Sequence, residues 1–143
     1  MTSSMTSDQV AYVRYRLSRA NETLESARLL LAHGDLHSAV NRIYYACFYV
    51  VEALLRTEGL FSRRHSGVMA LLDKHWANAG RIPPEMAGFY HEILDKRQAG
   101  DYAPFVTFEP QKVAEWLQQA EQFVRCVSEL VVRALPEQSQ EPQ

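Results

Sequence analysis

The sequence predicts an all-α protein, an antiparallel up-and-down bundle of four main helices with a short fifth helix. Apolar residues recur at spacings of three and four along most of the chain, which is the period of an amphipathic helix. Glycines, prolines and capping residues divide this pattern into helix-length segments. No segment alternates apolar and polar residues as a half-buried strand would. Short connections between the segments favour antiparallel neighbours.

The first helix is predicted to begin at a cap near Ser7 or Asp8 and to end at Gly34. Its apolar residues form one seam, made of Val10, Val13, Leu17, Ala20, Leu24, Ala27 and Leu31. A single seam is typical of a helix that packs lengthwise against one neighbour. Asp35 is placed to cap a second helix, which should run to about Glu58 and stop at Gly59.

Residues 38–56 of that second helix are more apolar than an ordinary surface helix. Two apolar stripes run along it side by side, one through positions 43, 47, 50 and 54 and the other through 44, 48, 51 and 55. A third line carries polar and aromatic side chains, namely Arg42, Tyr45, Tyr49, Glu52 and Arg56. The pattern predicts the central helix of the bundle, a subunit interface or the wall of a site.

The remaining elements are predicted from residues that typically begin or end helices. Ser62 is predicted to cap a third helix, and Pro83 and Pro84 to open a short fourth one. Residues 98–109 are predicted to form an irregular loop, and Pro110 to open the last helix. The aromatic residues expected to pin this loop to the body are Tyr102, Phe105 and Phe108.

Length and composition bound the class of protein. With 143 residues and a hydrophobic content of 47%, the chain can bury one core without a metal or a disulfide. We expect a single domain at residues 8–135, between disordered segments at 1–7 and 136–143. Cys47 and Cys126 both lie in apolar helical patterns and are best explained as packed thiols.

The formal net charge of −2 argues against a general nucleic-acid coat protein. The charge is uneven, because residues 56–97 hold seven bases and five acids while residues 98–143 hold three bases and seven acids. An RNA or a nucleotide phosphate should therefore meet the middle of the chain. No apolar run has transmembrane length and the N-terminus has no signal-peptide pattern, so we expect no membrane association and a cytoplasmic location.

Several common catalytic motifs are absent from the sequence. There is no glycine-rich phosphate loop, no Walker lysine, no Cys-x-x-Cys pair and no serine nucleophile elbow. The five histidines lack the spacing of a metal site. We therefore expect no metal and no cofactor.

Two polar clusters are the candidates for chemistry. Arg63, Arg64 and His65 lie at a predicted helix start, where an anion would be favoured. Alternatively the two arginines are solvated or pair with acids, and His65 packs between helices. Arg97 offers a fork for a phosphate, with Asp101 and Tyr102 close behind it. Alternatively Arg97 pairs with Asp101 and Tyr102 anchors the loop.

Four segments follow one another along the chain: Ala39-Val-Asn41-Arg42-x-Tyr44-Tyr45-Ala46-x-Phe48, Ala53-Leu54-Leu55, His65-x-Gly67 and Arg97-x-x-x-Asp101-Tyr102. Together they resemble the HEPN domain family, in its branch of small stand-alone prokaryotic proteins. The resemblance spans about residues 10–132. It implies a helical bundle, usually a homodimer, often encoded beside a minimal nucleotidyltransferase as a toxin–antitoxin pair. Many such proteins are metal-independent endoribonucleases whose active site resembles an arginine followed by four to six residues and a histidine.

Carried onto this sequence, the resemblance implies that Arg97 stabilises the phosphate and that Asp101 or Tyr102 positions it. Gln98 stands where an asparagine often follows the arginine, and Tyr102 stands where the histidine is expected. The missing imidazole would come from His65, provided that the bundle brings it near Arg97. Further residues expected to hold a phosphate or nucleotide are Arg63, Arg64, Asn41, Arg42 and Tyr45.

Three hypotheses follow. The chain is a toxin-like ribonuclease that uses Arg97 and His65. Alternatively, the same polar cluster binds a nucleotide or RNA end without cleaving it, or only docks a nucleotidyltransferase partner. The third hypothesis is a dimeric helical protein in which Tyr45 and Tyr49 serve self-association only.

Overall fold

Five α-helices make up the part of the chain that the computed structural model describes, residues 5–102 and 105–137. They are α1 (Ser7–Ala32), α2 (Leu36–Thr57), α3 (His65–Leu72), α4 (Pro84–Tyr102) and α5 (Pro110–Ala134). A π-helical turn, Asp73–Ala77, continues α3 directly. The predicted all-α bundle is confirmed. The predicted disorder at the two ends falls partly on residues 1–4 and 138–143, which lie outside the described residues.

The first two helices begin and end close to their predicted limits. Thr6 caps α1 one residue before the predicted position, and its hydroxyl accepts a hydrogen bond from the backbone N–H of Gln9 at 3.0 Å. Gly34 follows α1 with a φ of +81°, a conformation that favours glycine. Asp35 caps α2 as predicted, since its Oδ1 accepts from the backbone N–H of Ser38 at 3.3 Å. Gly59, with a φ of +73°, follows the end of α2.

Helix α2 is the central helix of the bundle. It packs against α1, α3, α4 and α5, and both predicted apolar stripes contribute to the core. Because these stripes are buried on two sides, the third line of side chains is left half-buried, and its members Tyr49, Glu52 and Arg56 lie against α1. Of the three roles predicted for this helix, that of the central helix of the bundle is confirmed.

The start of α3 differs from the prediction. Arg64 rather than Ser62 is the N-cap residue, and it makes no side-chain capping bond. The Ser62 hydroxyl instead accepts from the backbone N–H of Arg64 at 3.2 Å. A Cβ added to Gly67 would lie 2.8 Å from the Cβ of Ser62, so the loop passes too close to α3 for any side chain at this position.

Helix α4 is longer than predicted, and the short helix of the bundle is α3. The segment 98–109 was expected to be a loop, but α4 continues through Gly100 to Tyr102. Arg97 pairs with Asp101 one turn further along, at 3.3 Å, which supports the helix at this point. A Cβ on Gly100 would lie 3.0 Å from the ring of Phe108, so packing of that ring on the glycine compensates for its low helix propensity.

Only one of the three predicted loop anchors contacts the body. Tyr102 is 78% exposed and Phe105 is 95% exposed, so the expectation that they pin the segment is wrong. Phe108 packs against His37, with ring centroids 4.9 Å apart, and against Trp116 at 5.9 Å. Among the described residues of this segment, Phe108 is therefore the aromatic side chain that holds the turn into α5 against the body.

Two further findings concern the state of the cysteines and the apolar character of the helices. Cys47 is buried, Cys126 is partly buried, and both thiols are free. Within the described residues, no helix combines the length and the apolar character needed to cross a bilayer.

Candidate functional site

Aromatic side chains of α2 form a pocket around His65, the first residue of α3. The imidazole lies against three rings from one face of α2: Phe48, stacked at 4.5 Å, and Tyr44 and Tyr45 at 5.5 and 5.7 Å between centroids. These three residues follow one another at spacings of one, three and four, so they share one side of the helix. The alternative in which His65 packs between helices is therefore what the structure shows for this residue.

A short hydrogen bond fixes the orientation of the imidazole. Its Nδ1 lies 2.6 Å from the hydroxyl oxygen of Tyr44, and which atom donates depends on the tautomer. Burial raises the pKa of Tyr44 well above its usual value, so the phenol keeps its proton. The other ring nitrogen, Nε2, makes no hydrogen bond within the described residues. His65 thus has one nitrogen held by the protein and the other free for a ligand.

Arg97 reaches the same tyrosines from α4. Its guanidinium carbon lies 5.0 Å from the centroid of Tyr44 and 5.6 Å from that of Tyr45. The residue is only 8% exposed. Its one carboxylate contact among the described residues is with Asp101, at 3.3 Å from Nη1, and its Nε has no hydrogen-bond partner there. A buried cation with spare donors is suited to an anionic ligand.

The neighbourhood changes the protonation of His65. Burial lowers the pKa of the imidazole below its ordinary value of 6.5, and the positive charge of Arg97 lowers it further. The ring is therefore mainly neutral near pH 7, as a proton acceptor must be. Because the unfolded chain then binds the proton more readily than the folded one, this shift makes folding stability fall as the pH drops below about 6.5.

The coupling between the two residues gives a first prediction. An NMR titration of the imidazole protons should give a pKa below 6.5 for His65 in the wild-type protein. Arg97→Gln should raise that pKa, because it removes one of the two causes of the depression. Arg125→Gln, which neutralises an exposed arginine of α5, is the matched control and should leave the value unchanged. If the pKa of His65 lies at or above 6.5, or if Arg97→Gln leaves it unchanged, the two side chains do not interact as described.

An open groove lies beside this pocket, between the start of α2 and the end of α4. Its volume is about 400 Å³, and Asp101 lines it together with His37, Ser38, Asn41 and Arg42. Arg42 donates to the Oδ1 of Asn41 at 2.8 and 3.1 Å and lies 5.1 Å from the Tyr45 centroid. Three of the residues predicted to hold a phosphate or nucleotide are therefore next to one another.

The other predicted site residues lie less close to the pocket of His65. Arg63 and Arg64 are exposed at the start of α3, and no ion pair or ring contact joins either of them to the pocket within the described residues. Tyr102, at the end of α4, points largely into solvent. Asp101 is in place through its contact with Arg97. The predicted role of these residues in binding remains a prediction.

Sequence reasoning missed the supports of the pocket. The ring of Tyr44 stacks on Tyr90 of α4 at 5.9 Å, and Tyr90 stacks on Phe123 of α5 at 5.7 Å. Each of these residues occupies an apolar stripe of its own helix, so spacing alone gave them the same role as any core residue. Phe48 was likewise assigned to a stripe, although its ring covers His65.

Metal-ligating side chains do not gather in the described part of the chain. No group of three His, Cys, Asp or Glu residues there could hold an ion.

Comparison with known proteins identifies relatives over most of the chain. The family described as HEPN domain matches residues 13–130. A UPF0332 protein of Thermotoga maritima is 42% identical over 119 residues, which cover 83% of this chain and 90% of the relative. A UPF0332 protein of Gloeobacter violaceus is 37% identical over 60% of this chain and 68% of its own length. A protein of Methanocaldococcus jannaschii named as a putative toxin is 31% identical over 71% of this chain and 68% of its own.

Proposed function

This chain belongs to the HEPN domain family, and from that premise we propose that it is a toxin-like protein that cleaves RNA without a metal ion. The observation that carries the proposal is the meeting of His65 and Arg97 at Tyr44, from helices that are far apart in the sequence. A neutral imidazole with one free nitrogen beside a buried cation is a suitable pair for breaking a phosphodiester. The toxin name of a relative points the same way.

The proposed reaction is a transesterification within the RNA strand. In the base-competent tautomer the Nδ1–H of His65 donates to the Tyr44 hydroxyl, and Nε2 accepts the proton of the ribose 2′-hydroxyl. The 2′-oxygen then forms a bond to phosphorus while the bond from phosphorus to the 5′-oxygen breaks. The proton held by Nε2 is transferred to the departing 5′-oxygen, which leaves a 2′,3′-cyclic phosphate and a 5′-hydroxyl.

Arg97 supplies the electrostatic part of this mechanism. Negative charge builds up on the phosphoryl oxygens in the transition state, and a fixed cation in a water-poor site stabilises it strongly. Asp101 holds the guanidinium through its contact at 3.3 Å. The phenol of Tyr102 has no part in proton transfer in this scheme, because its side chain is 78% exposed and has no contact with His65 or Arg97 within the described residues.

We include in the proposal that the chain acts as a homodimer and is neutralised by a minimal nucleotidyltransferase. Both follow from the family resemblance, and a toxin requires a partner that silences it.

Expression in bacterial cells tests the proposal. The wild-type chain, expressed alone, should arrest growth and fragment cellular RNA, whereas Arg97→Ala at the same protein level should do neither, because the transition-state charge is left unpaired. The readouts are colony counts and an electrophoretic profile of total RNA. Arg125→Ala, an equal loss of charge on the exposed side of α5, should remain as toxic as the wild type.

Two results would count against the ribonuclease. One is an Arg97→Ala variant that folds, as judged by circular dichroism, and still fragments RNA. The other is a wild-type chain that leaves growth and RNA untouched.

A second candidate function is favoured by the groove beside the pocket. Its volume of about 400 Å³ is within the range of small-ligand sites. In this case the chain binds a nucleotide through Asn41 and Arg42 and delivers it to a partner without cleaving RNA. A wild-type chain that binds nucleotide in calorimetry but leaves RNA intact would favour this candidate.

A further inference from the structure

A continuous line of tyrosine and arginine side chains runs along the groove between α1 and α2. We call it the arginine–tyrosine seam. It consists of Tyr12, Arg16 and Arg19 from α1 and Tyr45, Tyr49 and Arg56 from α2. All six are partly exposed, although the apolar residues on either side of them on both helices are largely in the core.

The rings and guanidinium groups of the seam alternate in space. Arg56 lies 4.1 Å from the ring centroid of Tyr12. Arg16 and Arg19 lie 5.0 and 5.4 Å from that of Tyr49. These pairs are interhelical, so the antiparallel packing of α1 on α2 creates the line, and neither helix carries it alone. Arginine and aromatic planes held side by side can stack nucleobases and neutralise phosphates at the same time.

Charge distinguishes the seam from the rest of the surface. The whole chain has a net charge of −2, whereas the three arginines of the seam outnumber the two glutamates that pair with them. Within the described residues Glu52 pairs with Arg16 at 3.2 Å and Glu22 with Arg19 at 3.0 Å. Arg56 has no ion pair there, and its Nε has no hydrogen-bond partner. An anionic occupant would satisfy donors that the protein leaves unused.

The seam leads directly into the pocket of His65. The ring of Tyr45 lies 5.8 Å from Tyr49 on one side and 5.7 Å from His65 on the other, and Arg97 also faces it. From Tyr45 to Arg56 the seam extends about 17 Å at the rise of an α-helix. That length corresponds to about five stacked nucleotides of one strand. At its far end Phe61, 63% exposed, lies 5.3 Å from Arg56, and Tyr15, 57% exposed, lies 5.7 Å from Arg16.

We propose that the arginine–tyrosine seam binds single-stranded RNA and delivers it to the pocket of His65 and Arg97. This inference rests on the proposed action on RNA and adds the substrate class. Bases must be unstacked from a partner strand before they can lie on aromatic side chains. A-form duplex RNA hides its base faces, so it should bind the seam weakly. Recognition by stacking and charge is tolerant of sequence.

Fluorescence anisotropy with a strand that cannot be cleaved tests the inference. The probe is a labelled 12-nucleotide 2′-O-methyl oligouridine, which lacks the nucleophilic 2′-hydroxyl, and the competitor is a duplex RNA of the same length. The wild type should bind the single strand more tightly than the duplex. Arg19→Gln and Tyr49→Leu should each weaken binding about tenfold. For Arg19→Gln the slope of log affinity against log salt should also become shallower by about 0.7, the value of one lost phosphate contact.

The matched control is Arg28→Gln, which removes the same charge from α1 at a position paired with Glu121 of α5. It should bind like the wild type. The inference is overturned if the seam variants bind normally, if the duplex binds as well as the single strand, or if the wild type binds neither. It is also overturned if ultracentrifugation shows that the seam variants lose self-association while RNA binding is unchanged, because the seam then receives a second copy of the chain.

Cleavage of natural RNA, measured in parallel, separates the two proposals. Seam-dependent binding without any cleavage would keep this inference and reject the ribonuclease. Cleavage that does not depend on the seam would do the reverse.

Discussion

Purified protein carrying His65→Asn is expected to cleave a single-stranded RNA about 100- to 10,000-fold more slowly than the wild type, the usual contribution of a positioned general base. Asparagine keeps a polar side chain of similar reach against Phe48 and Tyr44, but it has no nitrogen that accepts a proton near neutral pH. The rate of cleavage under single-turnover conditions is the quantity to measure, so that product release does not mask the chemical step.

The pH dependence adds a second readout to this experiment. Wild-type cleavage should fall only below the depressed pKa of His65, because the protonated ring cannot act as a base. That acidic limb should be missing from any residual activity of His65→Asn. His33→Asn, a change of the same kind at the exposed end of α1, is the control and should cleave normally. Equal rates for His65→Asn and the wild type would remove His65 from the mechanism.

The largest stability effect is expected for Phe123→Ala. This side chain is 1% exposed and stacks on Tyr90 with an interplanar angle of 7°. Removing a buried phenylalanine costs the transfer of its ring and leaves a cavity, so the free energy of unfolding should fall by about 3–5 kcal/mol. The loss can be read from urea denaturation followed by circular dichroism.

The same change at an exposed ring provides the comparison. Phe105→Ala should alter the free energy of unfolding by less than about 0.5 kcal/mol, because Phe105 is 95% exposed. Phe123→Leu, which keeps an apolar side chain in the core, should lose less stability than Phe123→Ala. If Phe123→Ala and Phe105→Ala proved equally stable, the stack from Phe123 through Tyr90 to Tyr44 would not support the pocket.

The candidate site could be predicted only in part. Arg97, Asp101 and His65 were identified from their chemistry and from the family resemblance, and the structure places all three around one pocket. Tyr102 was selected because it occupies the position of a histidine in the motif. The structure places its side chain mainly in solvent, because α4 does not end before it and its direction is set by the helix.

Beyond their place in the family resemblance, the residues that complete the pocket gave no signal of their role in it. Tyr44 lies in an apolar stripe of α2, and a tyrosine at such a position is usually explained by packing alone. The hydroxyl of Tyr44 meets His65, 21 residues further along the chain, because the loop after α2 brings the start of α3 back against α2. The need for glycine at position 67, where the loop passes over α3, could not be recognised before that path was known.

By itself the sequence determined the helices, most of their limits and the central place of α2. These features depend on neighbours within a few residues, such as the cap of Asp35 on Ser38, and on a periodicity that is read directly from the chain. The tertiary structure alone decided that α4 continues through Gly100, since the stabilising contact is the ring of Phe108, and a local propensity gives way to such packing. It also decided that His65 and Arg97 share a pocket, because the distance between two side chains on different helices is set by how those helices pack and not by any local pattern.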